Sequence, residues 1–177
     1  MALPILSVQS MMTDHTSAAR LPFPVEQQKQ AFCFLNSTET DPVLNDAPMR
    51  EIYNLISTSI PGSFHDGEEA YLRFLSDFTF RRSRGFARLK AIMREGHVCA
   101  SALTAAECEA SAVISGVACA EHWRGRGIGK AVVSALAHEL ASENKRVNVI
   151  ALNDSAGAFY RRIGFLPTEM ITWLTIK

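Results

Sequence analysis

Arg124-Gly125-Arg126-Gly127-Ile128-Gly129-Lys130 is the stretch that most restricts how this 177-residue chain can fold. An apolar, strand-like run, Ala112–Ala120, leads into it, and a helix-like run, Ile128–Leu140, leaves it. The first turn of a helix has N–H groups without intrahelical partners, and the helix dipole favours an anion there. Gly125, Gly127 and Gly129 let the backbone approach a ligand closely. Arg124 and Arg126 can add charge-assisted hydrogen bonds to phosphate oxygens. The same residues also suit a plain basic turn, and the loop alone leaves both readings open.

Two familiar nucleotide loops fail on this stretch. The dinucleotide fingerprint G-x-G-x-x-G needs a third glycine where Lys130 stands. The phosphate-binding loop G-x-x-x-x-G-K-S/T needs a glycine at Arg124 and a hydroxyl at Ala131. No magnesium ligand is supplied here, which argues against nucleoside triphosphate chemistry.

The remaining pattern, Arg/Gln-x-x-Gly-x-Gly/Ala, is met by Arg124, Gly127 and Gly129. Downstream, Asn153-Asp154-Ser155-Ala156-Gly157-Ala158-Phe159-Tyr160-Arg161-Arg162-Ile163-Gly164-Phe165 matches N-x-x-A-x-x-F-Y-x-x-x-G-F at every fixed position. Together, in this order, these segments resemble the GNAT superfamily of acetyl-coenzyme A-dependent N-acetyltransferases. The resemblance spans roughly Arg84 to Lys177; before that it rests on element order alone.

The rest of the chain fits such a fold. Met49–Ile60 carries apolar residues at helical spacing, with Pro48 suited to a first turn and Pro61-Gly62 as a stop. Gly67–Phe80 is a second helix, with Ala70, Tyr71, Phe74, Leu75 and Phe78 on one side. Ala87 to Arg94 alternates, Glu95-Gly96 is a turn, and Val98–Thr104 completes a hairpin. Ala110–Ala120 reads as a central strand covered by helices. Ile128, Val132, Val133, Leu136 and Leu140 stripe one helix face. Val147–Leu152 is a strand and Ser155–Ile163 a helix ended by Gly164; Phe165–Ile176 is a last strand or a pair of short strands. Leu3–Val8 and Ala31–Leu35 read as short strands in a proline-rich beginning, where six of seven prolines precede residue 62. The bottom-up fold class is a mixed α/β sandwich with a phosphate site at one helix start.

The resemblance implies more. It implies a single domain over 1–177: an irregular extension plus first strand over 1–45, and a cofactor-binding core over 84–177. It implies a mixed, mostly antiparallel central sheet flanked by helices, with a splayed parallel strand pair at the cofactor site. The backbone of Val117, Ala118 and Cys119 would pair with pantetheine amides of acetyl-CoA. N–H groups from Arg124, Gly125, Arg126, Gly127, Ile128, Gly129 and Lys130 would wrap its pyrophosphate. Asn153 would bond the cofactor or cap the following helix, roles that are compatible. Tyr160 would protonate the departing thiolate. Lys130 and Arg126 equally suit solvated positions.

The expected activity is N-acetyl transfer from acetyl-CoA to a primary amine of a small molecule or peptide, by direct attack. The alternative is a non-catalytic coenzyme A-binding or regulatory module. The strand Ser111–Cys119 lacks the carboxylate that family members often place there, so the base is open. Glu109 and Glu121 flank it and read first as solvated loop acids. The run Arg81, Arg82, Arg84, Arg88, Lys90 and Arg94 reads as a solvated strand face, or else as an attractor for an acidic group.

Composition sets the outer limits. The chain balances 18 basic against 18 acidic residues, which disfavours a nucleic-acid partner bound by bulk charge. Four cysteines without C-x-x-C spacing read as reduced, buried thiols of a cytoplasmic protein. Five scattered histidines give no metal-ligand spacing. Met1–Ser10 lacks the basic and apolar regions of a signal peptide, and no apolar run approaches a membrane span. Oligomeric state is open, a homodimer among the options.

Overall fold

The computed structural model describes residues 25–34, 43–60, 62–63 and 67–174. The expected strand Leu3–Val8 lies outside them. In chain order the elements are β1 (Val25–Phe34), α1 (Met49–Ser59), α2 (Glu68–Ser83), β2 (Leu89–Arg94), β3 (His97–Glu107), β4 (Ser111–Cys119), a 3-10 turn (Glu121–Trp123), α3 (Ile128–Ser142), β5 (Arg146–Ala151), α4 (Asp154–Arg162) and β6 (Phe165–Leu174). This is the order the periodicities predict. The chain forms two compact units: Asn36–Asn148, and Met1–Leu35 with Val149–Lys177.

In the first unit β2, β3 and β4 pair in that order, both pairs antiparallel. Glu95 (φ 55) and Gly96 (φ 81) make the left-handed two-residue turn that joins β2 to β3, the geometry that matches strand twist. Arg146 N–H donates to the Ala110 carbonyl at 2.9 Å, and Asn148 Nδ2 to the Ala112 carbonyl at 3.5 Å. β5 therefore starts alongside β4 in the same direction, and the sheet is mixed. The fold class is α/β, with helices packed on this mixed sheet.

Side chains alternate across a strand, and β2 shows it. Ala87, Leu89 and Ala91 join Ile52, Leu55 and Ile56 of α1 and Phe78 of α2 in one buried cluster. Arg88 and Lys90 point the other way and reach Glu139 of α3. Helices α1 and α3 thus cover opposite faces. The α3 stripe is fully buried at Val132, Val133, Leu136 and Leu140. Burying side chains of this kind contributes roughly 1.5–3 kcal/mol each, which is what fixes α3 against the sheet.

Two local departures from expectation have simple causes. Pro48 stands at the N-cap of α1 rather than inside its first turn, and its carbonyl accepts from Ile52 N–H. α2 continues three residues past Phe80. There Arg81 bonds Asp77 and the carbonyls of Thr104 and Ala105, while Arg82 bonds Asp46 and the Asn45 carbonyl. Cations in a last helical turn also complement its dipole.

At Arg88 and Lys90 the basic run is therefore not a solvated face, whereas Arg82 and Arg84 are exposed. Arg88 bonds Glu107 (2.8 Å), Glu139 (2.8 Å) and Glu143 (2.5 Å). Lys145 joins Glu107 (2.6 Å) and Glu143 (3.0 Å), and Lys90 joins Glu139. The Glu107 side chain has no solvent exposure, and its Oε2 has no hydrogen-bond partner among the described residues. A buried carboxylate survives there because two cations meet its other oxygen. Alternation predicted that these side chains share a face; that α3 covers the face is a tertiary fact.

In the second unit β1 and β6 pair antiparallel from Val25↔Leu174 to Phe34↔Phe165. β1 begins six residues before the expected Ala31. Its polar first half shows no alternation, so the pairing with β6 is what makes it a strand. α4 packs on β6. Gly164 (φ 101) ends α4 as expected.

The ion cluster has a pH signature. Hydrogen bonds from Arg88, then Lys145, hold the Glu143 carboxyl at about 2 instead of 4.5. A carboxylate lowered on folding contributes stability above its unfolded value and loses it as pH falls through the folded one. The wild-type urea midpoint should fall between pH 4.5 and about 2, and Glu143→Gln should flatten part of that fall. Equal slopes in both proteins would refute the assignment.

Candidate functional site

The site is built on the end of β4. Ser101 pairs with Ala118, but Leu103 pairs with Ser115, so two β4 residues, Gly116 and Val117, face Ala102 alone. This is a β-bulge, a device that re-aims a strand. Gly116 takes φ +54 at the bulge. A Cβ there would lie 2.3 Å from Leu103 Cδ1 and 2.9 Å from Ile56 Cδ1. Ser101 Oγ donates to the Gly116 carbonyl at 3.0 Å and braces the distortion. Val117 is half-buried within the bulge, and Ala118, buried, and Cys119, half-buried, follow it.

Beyond β4 the chain makes the Glu121–Trp123 turn and enters the loop. Gly125 (φ +75) and Gly127 (φ +82) adopt the left-handed region, open to glycine without strain. Gly127 is the N-cap of α3, with no side-chain cap and no acidic residue in the first turn. Ala131 N–H is the first to bond back, to the Gly127 carbonyl at 3.0 Å. The amides of Ile128, Gly129 and Lys130 precede that first intrahelical bond and face outward from the helix start. Ile128 is buried and anchors the turn, while Arg124, Arg126 and Lys130 are exposed. An electropositive, uncapped helix start with glycines before it fits a phosphate-bearing ligand.

A family model for acetyltransferases (GNAT) matches residues 49–165. The chain belongs to the acetyltransferase (GNAT) family. Solved structures agree at the level of fold. A GNAT-family acetyltransferase from Colwellia psychrerythraea shares 15% identity with a TM-score of 0.62, over 88% of this chain and 58% of its own. A GCN5-related N-acetyltransferase from Kribbella flavida shares 16% with a TM-score of 0.60, over 90% and 62%. Glucosamine-6-phosphate N-acetyltransferase from Arabidopsis thaliana shares 23% with a TM-score of 0.52, over 71% and 90%. The chain thus spans about three fifths of the first two structures. No curated protein matches its sequence.

On this GNAT chain the second motif lies in the other compact unit. Asn153 caps α4, its Oδ1 accepting from Ala156 N–H at 2.9 Å, the capping role read from the sequence. Tyr160 is buried on α4, with its ring edge-on to Phe159 and Phe165. Burial pushes its phenol up to about 12. Phe165 is fully buried, a core residue as read from the sequence.

The thiols differ from the uniform burial expected. Cys99 is buried, Cys119 half-buried and Cys108 exposed; all three are free. Burial pushes the Cys119 thiol up, which makes it a poor nucleophile at neutral pH. Glu109 and Glu121 are exposed, as read from the sequence, Glu109 in a loop and Glu121 opening the Glu121–Trp123 turn. Among the described residues no cluster of three His, Cys, Asp or Glu is placed to hold a metal, and no helix is long and apolar enough to cross a membrane.

Sequence reasoning missed Gly116. Its signal was available: a glycine inside an apolar strand pattern marks a bulge or a close approach. Gly116→Ala should destabilise the fold by about 1–3 kcal/mol through positive φ and overpacking against Leu103. Urea denaturation measures this; an unchanged midpoint would mean that the bulge is not the constrained point described.

Proposed function

We propose that this chain transfers acetyl from acetyl-CoA to a primary amine of a small molecule or peptide by direct attack. The observation that carries the proposal is the uncapped start of α3, preceded by two left-handed glycines and free of acidic residues in its first turn. Backbone amides from Arg124 to Lys130 bind the diphosphate, and the edge of Val117, Ala118 and Cys119 pairs with the pantetheine amides as it would with another strand. Acetyl-CoA, when bound, supplies the acetyl thioester and a thiolate leaving group. Main-chain N–H near the Gly116–Val117 bulge polarises the reacting carbonyl.

Tyr160 is the proposed acid. With its phenol pushed up to about 12, it stays protonated throughout the neutral range. A free thiol ionises near ~8.5, so complete proton transfer from this phenol to a thiolate runs uphill by roughly 5 kcal/mol. Tyr160 therefore acts mainly as a hydrogen-bond donor to the developing negative sulfur. The acceptor must arrive as a free amine or lose its proton to water, since alkyl ammonium groups ionise near ~10. The reduced thiols support a cytoplasmic setting.

A second reading, coenzyme binding without catalysis, is favoured by one observation: β4 carries no carboxylate. One experiment separates the two. Acetyl-CoA at a hundredfold excess over Kd should stabilise the protein by about 2.7 kcal/mol. A panel of amines should then release coenzyme thiol, and Tyr160→Phe should lower kcat by about 10²-fold with acetyl-CoA affinity unchanged. Stabilisation without thiol release from any amine would favour the binding module. Absence of stabilisation would overturn both readings.

A further inference from the structure

We propose that Arg81 of α2 is a positioning residue for the acetyl-transfer step. It holds a second bulge, at Ala105 of β3, and through it fixes the Gly116–Val117 bulge of β4. The inference rests on the acetyl-transfer reading of this site.

Two irregularities interrupt the β3–β4 ladder. Outside them the strands keep a common register, at Ala100↔Cys119 and Ser101↔Ala118 on one side and at Ala106↔Val113 and Glu107↔Ala112 on the other. Between them Leu103↔Ser115 and Thr104↔Ile114 are displaced by one residue. The extra residue of β4 at Gly116–Val117 is thus cancelled by an extra residue of β3, Ala105. Losing the Ala105 bulge alone would slip the start of β4 by one residue against β3, and such a slip turns every side chain to the opposite face. Ala112, in that stretch, is buried. The two bulges are therefore kept or lost together.

Arg81 is what meets the second bulge. In a regular antiparallel strand successive carbonyls point to opposite edges, so one donor nitrogen cannot reach two in a row. Yet Arg81 Nη1 donates to the Thr104 carbonyl at 3.2 Å and to the Ala105 carbonyl at 3.1 Å. The Thr104 carbonyl is open to it because Thr104 Oγ1 accepts the Arg88 N–H at 2.9 Å. The Ala105 carbonyl is open to it because Ala105 has no pairing partner on β4. Arg81 is itself held by Asp77, one turn earlier on α2, at 2.9 Å, and its side chain is 20% exposed. Ser101 braces one bulge, and Arg81 braces the other.

NMR of the protein without coenzyme, paired with steady-state kinetics, tests this. Arg81→Met should move the Gly116 and Val117 amide signals. It should also lower kcat about tenfold, as a small misplacement of a reacting group does. The acetyl-CoA KM should hold, because the start of α3 still binds the coenzyme. Arg81→Lys keeps a cationic N–H donor and should restore most of kcat. Asp77→Ala, at an exposed residue, should move the same two signals in the same direction by less, which keeps the test usable if Arg81→Met does not fold. Arg82, the next residue, bonds Asp46 and the Asn45 carbonyl, and Arg82→Met should leave both signals and kcat unchanged. Signals that stay in place in every folded Arg81 and Asp77 variant, or that Arg82→Met displaces equally, would overturn the proposal. Displaced Gly116 and Val117 signals, with a wild-type protein that transfers no acetyl group, would instead keep the link from Arg81 to β4 and remove the acetyl-transfer reading.

Discussion

Helix α3 begins without a side chain to satisfy its first amides, and the rest of the first unit is arranged around that fact. A serine or aspartate cap would stabilise the helix by about 1 kcal/mol, but it would also occupy the groups an anion needs. The chain forgoes the cap and recovers the stability elsewhere. The buried stripe Ile128–Leu140 presses α3 on the sheet. At the far end, Glu139 and Glu143 are held by Arg88, Lys90 and Lys145. A helix gripped along its face and at its C-terminus keeps its N-terminus in one place, and a preorganised site loses less on binding.

The same trade is visible in β4. A regular strand would pair every residue with β3. The bulge at Gly116–Val117 breaks that register, requires a left-handed glycine packed against Leu103, and is braced by Ser101. Strain of this kind persists where the surroundings over-determine it, and it concentrates at functional positions. The distorted residues adjoin the segment from which pantetheine contacts are expected.

Much of this was legible in the chain. Strong periodicity placed α1, α3 and β2 within a residue or two and the β2–β3 turn at its observed place, because burial on one face and a left-handed Glu95-Gly96 turn are local demands; β3 runs three residues past the expected Thr104. The glycines at 125 and 127 were legible for the same reason. What was not legible depended on partners distant in sequence. β1 starts at Val25 because β6 pairs with it, although Glu26, Gln27, Gln28, Lys29 and Gln30 give no strand pattern. Arg88 and Lys90 looked solvated because nothing nearby opposes them; their partners sit about fifty residues on, at Glu139 and Glu143. The charge of Arg124 was legible too, but not that its Nε donates to the Cys119 carbonyl five residues before it, a contact that exists only once the loop has turned.

The central claim is that uncapped amides at the start of α3 hold the coenzyme diphosphate. Amide-resolved NMR of the protein titrated with coenzyme A tests it most directly. The account predicts that the Gly127, Ile128, Gly129 and Lys130 amide signals move earliest and farthest, saturating together. Saturable binding that leaves these four signals in place would contradict it.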